Sequence, residues 1–178
     1  MTIDRDAIVI GLTGAFGSGC TTLAGAMENQ LRFKAVKISD LIAEEWRERE
    51  LARTDEPRPA PERGELQDLG DARRRFHEAP HHWVERAITG LQRDHATFAR
   101  IVLDGIRNPG EVHWLRDQFR NFVLVAVDAP WEERWERLRQ TKVWKGRGRE
   151  EFDRISKRDI DSPVEWGQRV QACVDISD

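Results

Sequence analysis

The sequence predicts an α/β fold, a parallel sheet with helices on both faces. Three observations carry that reading. Residues 7–13, 101–103 and 122–127 are near-continuous apolar runs, the pattern of strands buried on both sides. The segments between them place apolar residues at helical spacing. Strand and helix then alternate along the chain, which is the α/β order.

Each element has its own reason. Residues 7–13 form the first strand. The helix expected over 21–31 carries Leu23, Met27 and Leu31 at i, i+4 and i+8. A weaker strand, 34–38, ends at Ser39-Asp40, an N-cap pair for a helix over 41–51. Residues 52–65 are rich in Pro, Arg and Glu and read as a loop. The helix expected over 80–97 has Trp83, Ala87, Ile88 and Leu91 on one face. Asp104-Gly105 stops the second buried strand, and Val112, Leu115 and Phe119 stripe a helix over 109–119. Asp128-Ala129-Pro130 stops the third. Trp131, Trp135 and Leu138 then stripe a helix over 130–139, with Pro130 in the first turn, where its missing N–H costs nothing. Residues 142–149 are basic, broken by glycine and read as too polar to pack. Residues 172–176 look like the start of a fifth strand. The apolar stripes, Trp131 and Trp135 included, are read as core.

The chain has 178 residues, 39% of them hydrophobic, enough for one domain with a real core. It reads as a single domain over 1–178, with a core of 1–39, 99–139 and 150–178. Two excursions leave that core, 40–98 and 140–149. The 29 basic and 32 acidic residues leave a formal net charge of −3, which argues against nucleic acid as a partner. No apolar run reaches the roughly 18 residues of a membrane span, and the first residues do not read as a signal peptide. Two cysteines, Cys20 and Cys173, make neither a disulfide framework nor a zinc site. The expectation is a soluble, cytoplasmic protein with no membrane partner. The basic set contains 24 Arg and 5 Lys. Arginine suits phosphate, but a GC-rich coding sequence explains the total, so position must decide.

Position decides first at the segment after strand one. Gly14-Ala15-Phe16-Gly17-Ser18-Gly19-Cys20-Thr21-Thr22 opens a helix, and Gly14, Gly19 and Thr21 match the phosphate-loop pattern G-x-x-x-x-G-K-[ST]. Such a loop turns backbone N–H groups inward around phosphate oxygens, and the helix N-terminus adds positive potential. Thr21 would place its hydroxyl on Mg²⁺. Cys20 stands where the pattern has Lys. At an effective dielectric of 20, a lysine charge at 4 Å from a phosphate is worth about 4 kcal/mol before desolvation. The loop therefore keeps its phosphate-binding parts, while phosphoryl transfer calls for a cation from elsewhere. A minor reading makes Cys20 a reactive thiol, its pKa lowered by the helix N-terminus.

Other charged residues gather around the expected ligand end of the sheet. Asp104 ends a buried strand beside the loop, where an acid helps hold Mg²⁺; as a strand-terminating Asp-Gly it needs no such role. Arg107 follows at the carboxyl end of that strand, where α/β sheets bind ligands. Arg63, Gln67 and Arg74 share a helical face that could take a nucleotide's phosphate and base. Asp40 could face an acceptor group, or merely cap a helix. Arg147 and Arg149, with Lys142 and Lys145, sit in the basic segment read as a lid over the transferring group. The catalytic candidates are thus Asp104, Arg107, Arg147 and Arg149.

Together these residues resemble phosphate-loop (P-loop) kinases of the nucleoside monophosphate kinase type, nearest to dephospho-coenzyme A kinase and deoxynucleoside monophosphate kinase. Ile10-Gly11-Leu12-Thr13-Gly14, Ser39-Asp40, Arg63 with Leu66-Gln67, Gly70-Asp71-Ala72-Arg73-Arg74, and Asp104-Gly105-Ile106-Arg107 with Glu111 carry the resemblance. The version Phe16-Gly17-Ser18-Gly19-Cys20-Thr21 is similar to the kinase-like domain that precedes a cytidylate deaminase domain in some bacterial proteins. That setting implies nucleotide sensing rather than phosphorylation, and a fused or associated deaminase as a partner. The chain itself has neither H-x-E nor P-C-x-x-C, so deamination is not its expected activity. The resemblance implies a P-loop NTP hydrolase fold with a five-stranded sheet in the order 2-3-1-4-5. It implies ATP and Mg²⁺ at the loop and an acceptor, a nucleotide or small phosphorylated metabolite, in the first excursion. It also implies a strand and final helix beyond Ile176, and hence a domain of something longer or a short variant. Two functions follow: ATP-dependent phosphoryl transfer, or a nucleotide-binding sensor with a degenerate loop.

Overall fold

The computed structural model describes residues 4–56, 58, 60–93, 98–141, 144 and 146–178. Strand β1 (Ile8–Thr13) lies between β3 (Arg100–Asp104) and β4 (Asn121–Ala126), and β2 (Lys34–Lys37) pairs with the far side of β3. Every pairing is parallel, and among the described residues the order is β2-β3-β1-β4. Alternation along the strands sends side chains to opposite faces. Val9, Ile101, Leu103 and Leu124 enter one core; Leu12 and Val102 enter another with Ala24 and Met27.

Eight helices cover this sheet among the described residues: α1 (Cys20–Leu31), α2 (Ile38–Arg53), α3 (Arg63–Phe76), α4 (His82–Arg93), α5 (Pro109–Gln118), α6 (Trp131–Arg139), α7 (Arg149–Ile160) and α8 (Val170–Asp175). The first core takes in α2, α3, α4, α5 and α8, and the second takes in α1. None of these helices is long and apolar enough to cross a membrane. The part of the helix expected over 80–97 that falls on 94–97 lies outside the described residues.

Four sequence expectations change. The expected fifth strand is helix α8, because Val170 and Cys173, three apart, are the buried positions rather than alternate residues. Beyond it, the Asp178 N–H reaches the Leu124 carbonyl at 3.0 Å and the Leu124 N–H reaches the Asp178 carboxylate at 2.9 Å. The outer edge of β4 thus meets Asp178. Helix α2 begins at Ile38, not after Ser39-Asp40, since Ile38, Ile42 and Trp46 form one buried stripe at i, i+4, i+8. Helix α3 begins at Arg63, inside the stretch expected as loop to 65, and carries the helical face expected of Arg63, Gln67 and Arg74, while α7 forms from unassigned chain. Finally, the segment read as too polar to pack buries Trp144, which joins Phe152 and Ile155 in a third cluster with Phe16, Trp131, Trp135 and Leu138 around it. The two tryptophans of α6, expected in the core, are partly buried and pack against this cluster.

Helix α5 starts where β3 exits. Asn108 caps it, Pro109 occupies the first turn, and Glu111 completes a capping box. The Glu111 carboxylate accepts from the N–H groups of Arg107 (2.8 Å) and Asn108 (3.1 Å), and on its other oxygen from Arg74 Nη2 (2.8 Å). Arg74 is 2% exposed and Glu111 0%. One buried ion pair therefore seats α3 on the exit of β3. Removing one partner of a buried pair costs about 3–5 kcal/mol. Arg74→Ala is expected to lower stability by that order in urea unfolding, and a loss below about 1 kcal/mol would assign the pair no structural role.

Candidate functional site

The loop between β1 and α1 is shaped by glycine. Gly19 is the N-cap of α1 at φ 115°, a conformation other residues rarely adopt. A Cβ on Gly14 would lie 2.3 Å from the Val127 carbonyl oxygen. The chain therefore turns tightly and presents the N-terminus of α1 to a cleft of about 1120 Å³. All nine residues from Gly14 to Thr22 line that cleft.

Thr21 stands in the first turn of α1, and Asp104 ends β3 beside Leu12 of β1. Their side chains meet: Thr21 Oγ1 donates to Asp104 Oδ2 at 2.7 Å. The two expected metal ligands are thus brought together. Asp104 is buried and Thr21 exposed, so the pair opens toward the cleft mouth.

Cys20 contacts Ser18, with Sγ and Oγ 3.5 Å apart. Burial pushes its thiol up, and the nearby Asp104 carboxylate adds to this. The expectation of a lowered pKa is corrected: desolvation outweighs the helix N-terminus. The position where the loop pattern has a lysine holds a neutral group.

The other end of the cleft is built on Asp159. Its carboxylate, 0% exposed, accepts from Arg63 Nη2 at 3.0 Å, Arg107 Nη1 at 2.7 Å and the Gln67 amide at 2.5 Å. Arg63 and Gln67 come from one face of α3, Arg107 from the β3–α5 connection and Asp159 from α7. Burial alone would push the Asp159 carboxyl up; Arg107 and Arg63 outweigh that and hold it below the usual carboxylate range. Arg63 also lies over the Phe16 ring of the loop, 4.3 Å from its centroid. Its buried Nε has no partner among the described residues.

The remaining candidates divide. Asp40, in the first turn of α2, is exposed and lines the cleft. Arg74 lines it too, with its guanidinium on Glu111. Arg147 lines it, pairs with Glu151 at 3.0 Å and lies over the Trp144 ring. Arg149 is not brought to the cleft: it opens α7, bonds Glu132 and stacks on Trp131, 4.2 Å from the ring centroid. Lys142 and Lys145 lie outside the described residues.

Sequence reading missed Asp159, Gln168 and Lys37. Gln168 accepts from Arg107 at 3.5 Å, Lys37 lines the cleft, and Arg137 Nη1 donates to the Ser18 carbonyl at 3.2 Å. Asp159 had a readable signal, since Phe152, Ile155 and Asp159 share one helical face and an acid on an apolar face demands a partner. Gln168 and Lys37 had none.

Residues 10–159 match the AAA domain family, a span from β1 to Asp159. The chain belongs to the AAA domain family. Both the loop and the Asp159 cluster fall within this AAA domain's matched residues. A UPF0200 protein of Methanothrix thermoacetophila is 31% identical over 130 residues, 73% of this chain and 64% of that one. Another from Methanothermobacter thermautotrophicus is 26% identical over 133 residues, 75% of this chain and 61% of that one. This chain thus spans about three-fifths of the length of these curated relatives. Among solved structures, TT1252 from Thermus thermophilus shares the fold, with a TM-score of 0.59 and 22% identity over 97% of this chain and 86% of that one.

The raised Cys20 pKa has a direct consequence. At pH 7.5 iodoacetamide should label Cys20 more slowly than free cysteine, with the rate rising only above the ordinary thiol pKa. Cys173, pushed up to about 12 by burial, should stay unlabelled in the folded protein. Rapid labelling of Cys20 at pH 7.5, followed by mass spectrometry, would contradict a neutral thiol.

Proposed function

We propose that this AAA domain transfers the terminal phosphoryl group of ATP to a nucleotide or related phosphorylated metabolite, with Mg²⁺ as cofactor. The observation that carries the reading is one cleft with two differently built ends. The glycine loop and the Thr21–Asp104 pair form one end, and the arginines on Asp159 form the other.

The residues present fit most of the group they would hold. Loop amides and the N-terminus of α1 suit a phosphate chain, and Gly14 leaves a cradle that a Cβ would fill. A hydroxyl beside a carboxylate is an all-oxygen donor set, the chemistry Mg²⁺ prefers. When bound, Mg²⁺ would neutralise phosphate oxygens in an in-line transfer. Thr21 and Asp104 would hold it. Arg107 and Arg63 bind and orient the acceptor's anionic group, and Asp159 keeps both guanidiniums aimed. Asp40 faces the acceptor's reactive end. Phe16, Trp144 and Phe152 pack over the loop and exclude water from one side, and Arg147 adds charge from that same segment.

A second reading rests on Cys20. A neutral thiol in the lysine position suits a domain that binds nucleotide and senses it without turnover, as in the deaminase-linked arrangement. The two readings separate in one assay. Purified protein with Mg·ATP and a panel of nucleoside monophosphates should release ADP, and Thr21→Ala should lower that rate by about 10²–10³. Saturable nucleotide binding with no ADP above the Thr21→Ala level would replace phosphoryl transfer by sensing. Absence of binding would remove both.

A further inference from the structure

The loop pattern places a positive charge at residue 20, and here that residue is a half-buried cysteine. Among the described residues the arginines around the cleft are committed in different ways, while Lys37 lines it from the end of β2, beside Asp104. Arg63 and Arg107 share Asp159 at the acceptor end, and Arg74 is paired with Glu111. Arg134 is buried and donates to the carbonyls of Ala129 and Phe16. Arg147 pairs with Glu151. Arg137 pairs with Glu133 but combines two properties, of which the buried Arg134 shares only the first. It donates into the loop itself, to the Ser18 carbonyl at 3.2 Å. It also keeps its side chain 53% exposed while lining the cleft.

The register of α6 puts it there. The helix packs on the loop at Gly17, where a Cβ would come within 2.8 Å of Leu138 Cδ1 and 3.2 Å of Arg134 Cβ. Positions 134, 137 and 138 fall on one helical face, so anchoring Arg134 and Leu138 aims Arg137 at the loop. Its Nη1 lies 3.9 Å from where a Cβ on Gly19 would sit, one residue before Cys20. Arg139 leaves by another face and pairs with Glu136 in solvent. Of the five N–H donors of the Arg137 guanidinium, Ser18 and Glu133 each accept one.

We propose that Arg137 supplies, from α6, the positive charge on the terminal phosphates of a nucleoside triphosphate that residue 20 does not carry. The inference rests on the nucleotide reading above. A guanidinium stays charged at every physiological pH and grips phosphate oxygens through parallel N–H bonds. Trading the neutral Ser18 carbonyl for a phosphate oxygen exchanges a neutral acceptor for an oppositely charged one. Contact with the loop carbonyl preplaces the group before ligand arrives.

The test is a double-mutant cycle read by calorimetry with Mg·ATP. Wild type, Arg137→Ala, Arg137→Lys, Cys20→Lys and Cys20→Lys/Arg137→Ala are compared, each checked for folding by thermal unfolding. Arg137→Ala should weaken Mg·ATP by about tenfold or more, and Arg137→Lys should recover most of the loss because it restores charge. With Lys at position 20, removing Arg137 should cost less than about twofold, the coupling expected of two groups serving one role. Unchanged affinity in Arg137→Ala, or Lys recovering nothing, overturns the proposal, as does the same loss in both backgrounds. The Ala and Lys variants of Arg137 decide the matter even if Cys20→Lys fails to fold. Failure of wild type to bind Mg·ATP is a different result, which removes the nucleotide reading and this inference with it.

Discussion

Two carboxylates with no solvent exposure, Glu111 and Asp159, set the geometry of the cleft. A buried charge must be paired, so each gathers cations and N–H donors from elements far apart in sequence. Glu111 takes Arg74 from α3 and the two backbone N–H groups that open α5. Asp159 takes Arg63 and Gln67 from α3 and Arg107 from the end of β3. The Asp159 end of the cleft is therefore assembled by charge pairing around the exit of one strand. Arg107 links the two clusters, with its N–H on Glu111 and its guanidinium on Asp159.

The glycine-loop end is assembled differently. There, backbone conformation and packing dominate: Gly14 and Gly19 permit the turn, and the Phe16 side chain leaves the loop to pack on Trp144 and Phe152. Phe16 also receives Arg63 on its face. One loop residue thus touches both the aromatic cluster of α6 and α7 and the charged cluster of α3. A change at either cluster reaches the loop through it.

The parts legible in the sequence were those with a local signal. The three apolar strands, their parallel pairing and the glycine loop all follow from contiguous residues. So does the Thr21–Asp104 pair, since a strand–loop–helix match fixes one member and a strand end the other. The fifth strand failed because a short apolar run does not say which period is in use; Val170 and Cys173 settle it only once burial is known. The basic segment failed for a related reason. Charges at 142–149 masked Trp144, whose burial depends on partners at 16 and 152. Arg149 looked equivalent to Arg147, yet it opens α7 and its side chain goes to Trp131. Asp159 needed recognition of α7, and Arg137 needed the register of α6 against Gly17.

The central claim is that the loop between β1 and α1 receives a nucleotide's phosphates with Mg²⁺ held at Thr21 and Asp104. Backbone amide NMR during titration with Mg²⁺ and a non-hydrolysable ATP analogue tests it most directly. The account predicts saturable shifts concentrated at Gly17, Gly19, Cys20 and Thr21, weakened when Mg²⁺ is withheld. Saturable shifts that leave these amides unmoved and appear elsewhere, or no saturable shifts at all, would contradict it.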